Sequence, residues 1–261
     1  MLTLSRLLPQ LITLKFTKMR KSIYAIMLAA LAIMFACMKD FDNAGDTGTG
    51  GSMARFTIKG NYLYTVDHEE LHTFDISQPS HVKHLHKQYL GFGIETIFPT
   101  EDHLFMGARN GMHIYELSDP TKPAKMSFTP HFISYDPVVV QGNYAYVTLR
   151  TGGRFAGENQ LLIFDISKLN APVLVTQYDM VNPRGLGIDN DKLFICDDVL
   201  KIYKVTDGTE ISLLTTFDIP AIDVIPANER LYVIAEDGFY QYNYSGNTIE
   251  LISKIEIPKK R

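Results

Sequence analysis

Five charged residues stand at matching places along the chain: Arg55, Glu95, Asp136, Arg184 and Asp223. Each lies nine or ten residues before an aromatic: Tyr64, Phe105, Tyr146, Phe194 and Tyr232. Three carboxylates brought to one cavity could divide acid and base roles in hydrolysis. Together with the two arginines they could instead form a ligand-binding ring. A second group is the histidine-rich HVKHLHK, with His81, His84 and His86. At strand spacing His84 and His86 share a face, so a two-ligand metal site is conceivable. The flanking Lys83 and Lys87 favour a solvated edge, and no metal or other cofactor is expected. Asp197-Asp198 and Glu236-Asp237 lack the regularly spaced oxygens of a calcium loop. The chain has no Gly-rich phosphate loop, no GxSxG and no Cys/His pair.

What must position these residues is a repeat. GNYLYTVD, DHLFMGAR, GNYAYVTL, DKLFICDD and ERLYVIAE begin at residues 60, 102, 142, 191 and 229. Their partners LHTFDIS, MHIYELS, LLIFDIS, LKIYKVT and FYQYNYS begin at 71, 112, 161, 200 and 239. The repeated aromatic recurs at steps of 41, 41, 48 and 38 residues. The longest step holds an insertion, RTGGRFAGENQ, at residues 150–160. A period near forty, made of short apolar runs broken by Gly, Asn, Asp and Pro, indicates stacked all-β units. Each unit reads as four antiparallel strands, and five units predict a five-bladed β-propeller. No strand remains before Arg55 to complete the last blade. The first and last blades are therefore expected to meet by side-chain packing, without a shared strand.

In such a blade the link into the inner strand and the second-to-third-strand hairpin lie on one face. That face is the expected mouth of the central channel. The ligand-binding candidates are Arg55, Glu95, Asp136, Arg184 and Asp223, with Arg150 and Arg154 from the insertion. Long loops on a rigid scaffold are where binding residues gather. The plainer reading is a charged rim that balances itself. No residue is assigned as catalytic.

The segments resemble the LVIVD repeats of bacterial cell-surface β-propeller lipoproteins. LLIFD is the clearest copy, and the resemblance covers about residues 54–257. It departs at Lys204 and Asn243, where the other units carry Asp or Glu. The resemblance implies a propeller on a surface lipoprotein and no particular reaction. Five-bladed furanosidase-type glycoside hydrolases share the scaffold and use three acids. Here Arg55 replaces an acid in the first unit, and Trp is absent.

The N-terminus reads as an address. Residues 1–37 carry five basic and no acidic residues. Arg20 and Lys21 precede an apolar stretch over residues 23–35, shorter than a span of about 20 residues. It ends in Ala36-Cys37 and resembles a bacterial lipoprotein signal, with Cys37 as the lipidated residue. Met19 opens a complete signal by itself and is a possible true start. Lys39-Asp40-Phe41-Asp42 resembles the surface-export signals of Bacteroidetes lipoproteins. Residues 38–53 read as a flexible tether rich in Gly, Thr and Asp, and residues 54–261 as the propeller domain.

Removing the five leading cations leaves 20 basic against 29 acidic residues, a formal charge of −9. An acidic body without a basic stripe argues against nucleic acid. Cys196, inside LFICDD, reads as a small buried hydrophobe. The function expected is a lipid-anchored outer-membrane binding or scaffold module for a protein or glycan. It would be monomeric, touching the membrane through its lipid only. The alternative is a surface glycoside hydrolase using the mouth carboxylates.

Overall fold

A computed structural model describes residues 50–131, 137–151, 159–245 and 248–257. Cys37, Asp136, Arg154 and the expected tether up to residue 49 lie outside the described residues. Among the described residues no helix is long and apolar enough to cross a membrane.

Among the described residues, twenty strands form five four-stranded antiparallel sheets, each in simple up-and-down order. Blade 1 is β1 (Phe56–Lys59), β2 (Tyr62–Val66), β3 (Glu70–Asp75) and β4 (Lys83–Tyr89). Blade 2 is β5 (Ile94–Pro99), β6 (His103–Ala108), β7 (Gly111–Glu116) and β8 (Ala124–Pro130). Blade 3 is β9 (Val138–Gln141), β10 (Tyr144–Leu149), β11 (Gln160–Asp165) and β12 (Val173–Asp179). Blade 4 is β13 (Leu186–Asp189), β14 (Lys192–Cys196), β15 (Leu200–Thr206) and β16 (Glu210–Phe217). Blade 5 is β17 (Ala221–Ala227), β18 (Arg230–Ala235), β19 (Gly238–Asn243) and β20 (Glu250–Glu256). The chain is an all-β, five-bladed β-propeller of four-stranded antiparallel blades.

The repeated features have physical roles. The Gly-Asn turn between the first two strands places Gly60 and Gly142 at φ of 56° and 58°, the left-handed region that glycine enters without strain. The repeated aromatic fills the gap to the following blade. Tyr64, Phe105, Tyr146 and Phe194 are at most 1 % exposed. Tyr64 Oη donates to the Pro120 carbonyl at 2.7 Å, and Tyr146 Oη to the Gly208 carbonyl at 2.8 Å. Each hydroxyl thus reaches the outer turn of the next blade, which satisfies it where water is excluded. Burial pushes the Tyr146 phenol up to about 12.

The aspartate of FDIS caps a turn. Asp75 Oδ1 accepts from Ser77 N, and Asp165 Oδ1 from Ser167 N, both at 2.8 Å. In blade 5 Asn243 Oδ1 accepts from Ser245 N at 3.1 Å, so the drifted residue keeps the same job. The two FDIS copies are structural.

Four apolar clusters join blades 1 to 2, 2 to 3, 3 to 4 and 4 to 5. Among the described residues no such cluster joins blade 5 to blade 1. The fifth repeated aromatic, Tyr232, faces this seam, is only half-buried, and stacks on Phe239. Phe56, Ile234 and Ile255, on the strand faces turned toward the seam, are 59 %, 45 % and 64 % exposed. The joint is made by the chain before β1. Gly51 and Ser52, at the end of the expected tether, are buried. Ser52 Oγ donates to Asp223 Oδ1 at 2.9 Å and accepts from Leu186 N at 2.8 Å. Met53 N donates to Asp223 Oδ2 at 3.2 Å. The Ala54 carbonyl accepts from Ile97 N at 2.9 Å. Residues 52–54 therefore tie blades 4, 5 and 2 together. No strand is shared, as expected, and the contacts that make the joint are hydrogen bonds of Ser52 and Met53.

Candidate functional site

The inner strands β1, β5, β9, β13 and β17 are entered on the face that also carries the hairpins joining second and third strands. Among the described candidates, Glu95, Arg184 and Asp223 are each engaged by another side chain. Glu95 is half-buried and accepts from Arg109 Nε at 3.0 Å, from the hairpin of its own blade. Arg184 reaches the hairpin of the next blade, donating from Nη1 to Glu236 Oε1 at 2.8 Å. Its carbonyl accepts from Thr148 Oγ1 at 2.6 Å, which ties blade 3 to blade 4. Arg55 is exposed, and its carbonyl accepts from Val66 N at 2.8 Å. Arg150 is half-buried just after β10. Asp136 and Arg154 fall outside the described residues.

Asp223 differs from the others. It is 8 % exposed, and its carboxylate is enclosed by Ser52, Gly51 and Gly185. A Cβ on Gly51 would lie 2.0 Å from Asp223 Oδ2, and one on Gly185 2.1 Å from Oδ1. Glycine at both places is what lets the carboxylate sit there. Burial pushes the carboxyl up to about 6, against the hydrogen bonds from Ser52, Met53 and Val224, which favour its charged form. A value near 6 suits a general acid. Yet both oxygens are occupied by Ser52, Met53 and Val224, and the preceding segment lies over them.

Asp197, in the blade 4 hairpin, is also buried. Its carboxylate accepts from Val181 N and Asn182 N and from Lys201 Nζ, the last at 2.8 Å. It pins the link from blade 3 to blade 4. Cys196 is fully buried, and burial pushes its thiol up, as befits an inert core residue.

The histidines are arranged differently from the sequence expectation. A β-bulge between Thr73 and Phe74 shifts the register of β3 against β4. His84 then pairs with Phe74, and His86 with Thr73. Thr73 and Phe74 point to opposite faces, so His84 and His86 do not share one. His84 packs instead on Phe74 and His72, with ring centroids 5.0 and 5.4 Å apart. Beside it Asp67, Glu70 and His72 bring one donor atom each within 4.8 Å of one another. Sequence reasoning missed this grouping. The spacing Asp-x-x-Glu-x-His across a hairpin into a strand was the available signal. Ser52 was missed because nothing local distinguishes a serine in a Gly-Thr-Ser stretch.

Solved structures with the same fold include a protein from Lactobacillus plantarum, 14 % identical, TM-score 0.62, covering 76 % of this chain and 69 % of that one. The periplasmic gluconolactonase of Pseudomonas aeruginosa is 12 % identical, TM-score 0.59, with coverage of 76 % and 68 %. A functionally unknown protein from Desulfotomaculum acetoxidans is 12 % identical, TM-score 0.62, with coverage of 81 % and 69 %. At these identities the likeness is one of fold. No curated protein matches the chain. Two stretches, residues 50–87 and 135–180, match the LVIVD repeat; the chain therefore carries LVIVD repeats, and they build blades 1 and 3 of its propeller.

Proposed function

We propose that the chain is a lipid-anchored cell-envelope propeller that presents its hairpin face to a protein or glycan, as a non-catalytic binding or scaffold module. The supporting observation is the engagement of the mouth charges. Glu95 is held by Arg109, Arg184 by Glu236 and Asp223 by Ser52. A hydrolytic site needs at least one carboxyl open to substrate, whereas paired charges make a rigid polar rim suited to recognition. The signal-like residues 1–37 and Cys37 support the envelope location.

The test has two parts. Metabolic labelling with a palmitate analogue should tag the wild type and not Cys37→Ser, and fractionation should recover the protein with outer membranes. Recovery in the soluble cytoplasm would end this reading. Immobilised protein should then capture a discrete envelope protein or glycan. Arg184→Ala should weaken that capture while leaving the melting temperature nearly unchanged.

A second reading is hydrolysis of a small sugar-derived substrate at the mouth. The fold shared with a gluconolactonase and the raised pKa of Asp223 favour it. It predicts turnover of a lactone or glycoside that Asp223→Asn abolishes without unfolding. A panel of lactones and aryl glycosides showing no turnover would count against it.

A further inference from the structure

The grouping of Asp67, Glu70 and His72 gathers one imidazole nitrogen and two carboxylate oxygens at the start of β3. Glu70 and His72 alternate onto one face of β3, and Asp67 lies in the hairpin before them. Asp67 Oδ1 accepts from Glu69 N at 2.8 Å and Glu70 N at 2.7 Å. This fixes the carboxylate and turns Oδ2 toward His72. His72 Nε2 lies 3.6 Å from Asp67 Oδ2 and 3.6 Å from Glu70 Oε2. Both separations exceed a hydrogen bond. Ligands about 2.1 Å from a tetrahedral zinc ion lie about 3.4 Å from one another, which is close to this spacing.

The other ring nitrogen supplies an orientation. His72 Nδ1 is 3.3 Å from His84 Nε2. When His72 donates from Nδ1, its Nε2 lone pair faces two carboxylate oxygens. With Nε2 unprotonated, three acceptors face one another, an arrangement that a cation between them relieves. An outer partner that fixes the tautomer of a ligating imidazole is the usual arrangement around protein-bound metals. Lys87 Nζ, 2.8 Å from Glu70 Oε2, already brings positive charge to the edge of the cluster. Its side chain is mostly exposed, so a bound ion would compete with it for Glu70.

We propose that Asp67, Glu70 and His72 bind a divalent transition-metal ion of the zinc class, with His84 orienting His72. Three protein ligands leave a coordination position for water or for a donor from a bound partner. The site sits where the hairpin face meets the seam between blades 1 and 5, so an ion there adds a recognition point beside the mouth. Oxygen-only ions such as calcium are poorly matched, because the central donor is an imidazole.

The experiment is calorimetric titration of zinc chloride into the tag-free, chelator-treated full chain in detergent. One equivalent should bind. His72→Ala and Asp67→Asn should each weaken binding at least about tenfold, and His84→Ala about tenfold. Lys87→Met should tighten it, because a competing cation is removed. His86→Ala, on the opposite face, should leave it unchanged. Circular dichroism confirms that each variant is folded, and Asp67→Asn carries the test if His72→Ala is not. Absence of zinc binding, or binding insensitive to both ligand variants, overturns the proposal. So does an NMR titration in which a proton on His72 alone answers the two carboxylates and added zinc shifts no His72 signal.

Discussion

Ser52 and Asp223, 171 residues apart, meet through a 2.9 Å hydrogen bond in the interior of the ring. The serine hydroxyl also accepts from Leu186 N, so one side chain serves two blades at once. Apolar packing holds every other joint between neighbouring blades; this polar contact acts where the described residues form no apolar cluster.

Ser52→Ala should therefore be far more harmful than an alanine in a loop. It leaves a buried amide and a buried carboxylate each short of a partner, which costs about 1–3 kcal/mol. For a domain of this size the melting temperature should fall by several degrees. Differential scanning calorimetry of Ser52→Ala beside Ser80→Ala, an exposed control, checks this. Equal melting temperatures would remove Ser52 from the closure.

The pH dependence of stability should carry the mark of Asp223. Its carboxyl is raised from 3.8 to about 6 by burial, so between these values the folded chain holds a proton that the unfolded chain has lost. Stability from this group is full below the unfolded value and is lost as pH rises through the folded value. The loss is on the order of 2–3 kcal/mol. Asp75, Asp119 and Asp165, held low by turn hydrogen bonds from Ser77, Thr121 and Ser167, act oppositely, as pH falls below the ordinary carboxylate range. Urea unfolding of the wild type and Asp223→Asn at pH 4.5 and 7.5 separates the two. The wild type should gain stability at the lower pH by more than the variant does. Identical pH responses would contradict the assignment.

Gly185→Ala should destabilise strongly. The new methyl would lie 2.1 Å from Asp223 Oδ1 and 2.8 Å from the Asp223 Cα, so the backbone itself must move. Overpacking of this kind costs about 1–3 kcal/mol. Gly142→Ala offers a contrast. Its Cβ would meet nothing within 4 Å, but φ is 58°, so its penalty comes from backbone strain alone. Chemical denaturation of the pair should rank Gly185→Ala as the worse.

The FDIS aspartates should prove to be turn residues. Asp165→Asn should melt close to the wild type, since Asn243 performs the same cap in blade 5. Asp165→Ala should melt lower, because Ser167 N loses its acceptor. Neither change should affect partner capture. A capture defect in Asp165→Asn would assign the residue a role beyond the turn.

The fold was legible because a propeller writes itself into sequence five times. The period near forty, the Gly-Asn turns and the repeated aromatic each report a local requirement, and local requirements survive in one dimension. The candidate site was legible only as positions. Arg184 was placed at the rim, but its partner Glu236 stands on another blade, 52 residues on. Asp223 was placed beside the channel, while Ser52 reaches it only when the ring closes. His84 and His86 were set on one face by counting in twos. The bulge at Thr73 and Phe74 breaks that count, and the same irregularity recurs between third and fourth strands in every blade. A register shift alters no residue type, so it leaves no trace in composition or periodicity.

The polar joint also determines how the molecule meets mechanical load. A pull on the chain leading into residue 50 enters the propeller at Ser52 and Met53, the residues that fasten blade 5. Tension there is borne first by a few hydrogen bonds and only afterwards by the apolar contacts of the four other joints. The ring should therefore yield at one defined place, opening like a hinged bracelet at its catch while its links stay intact.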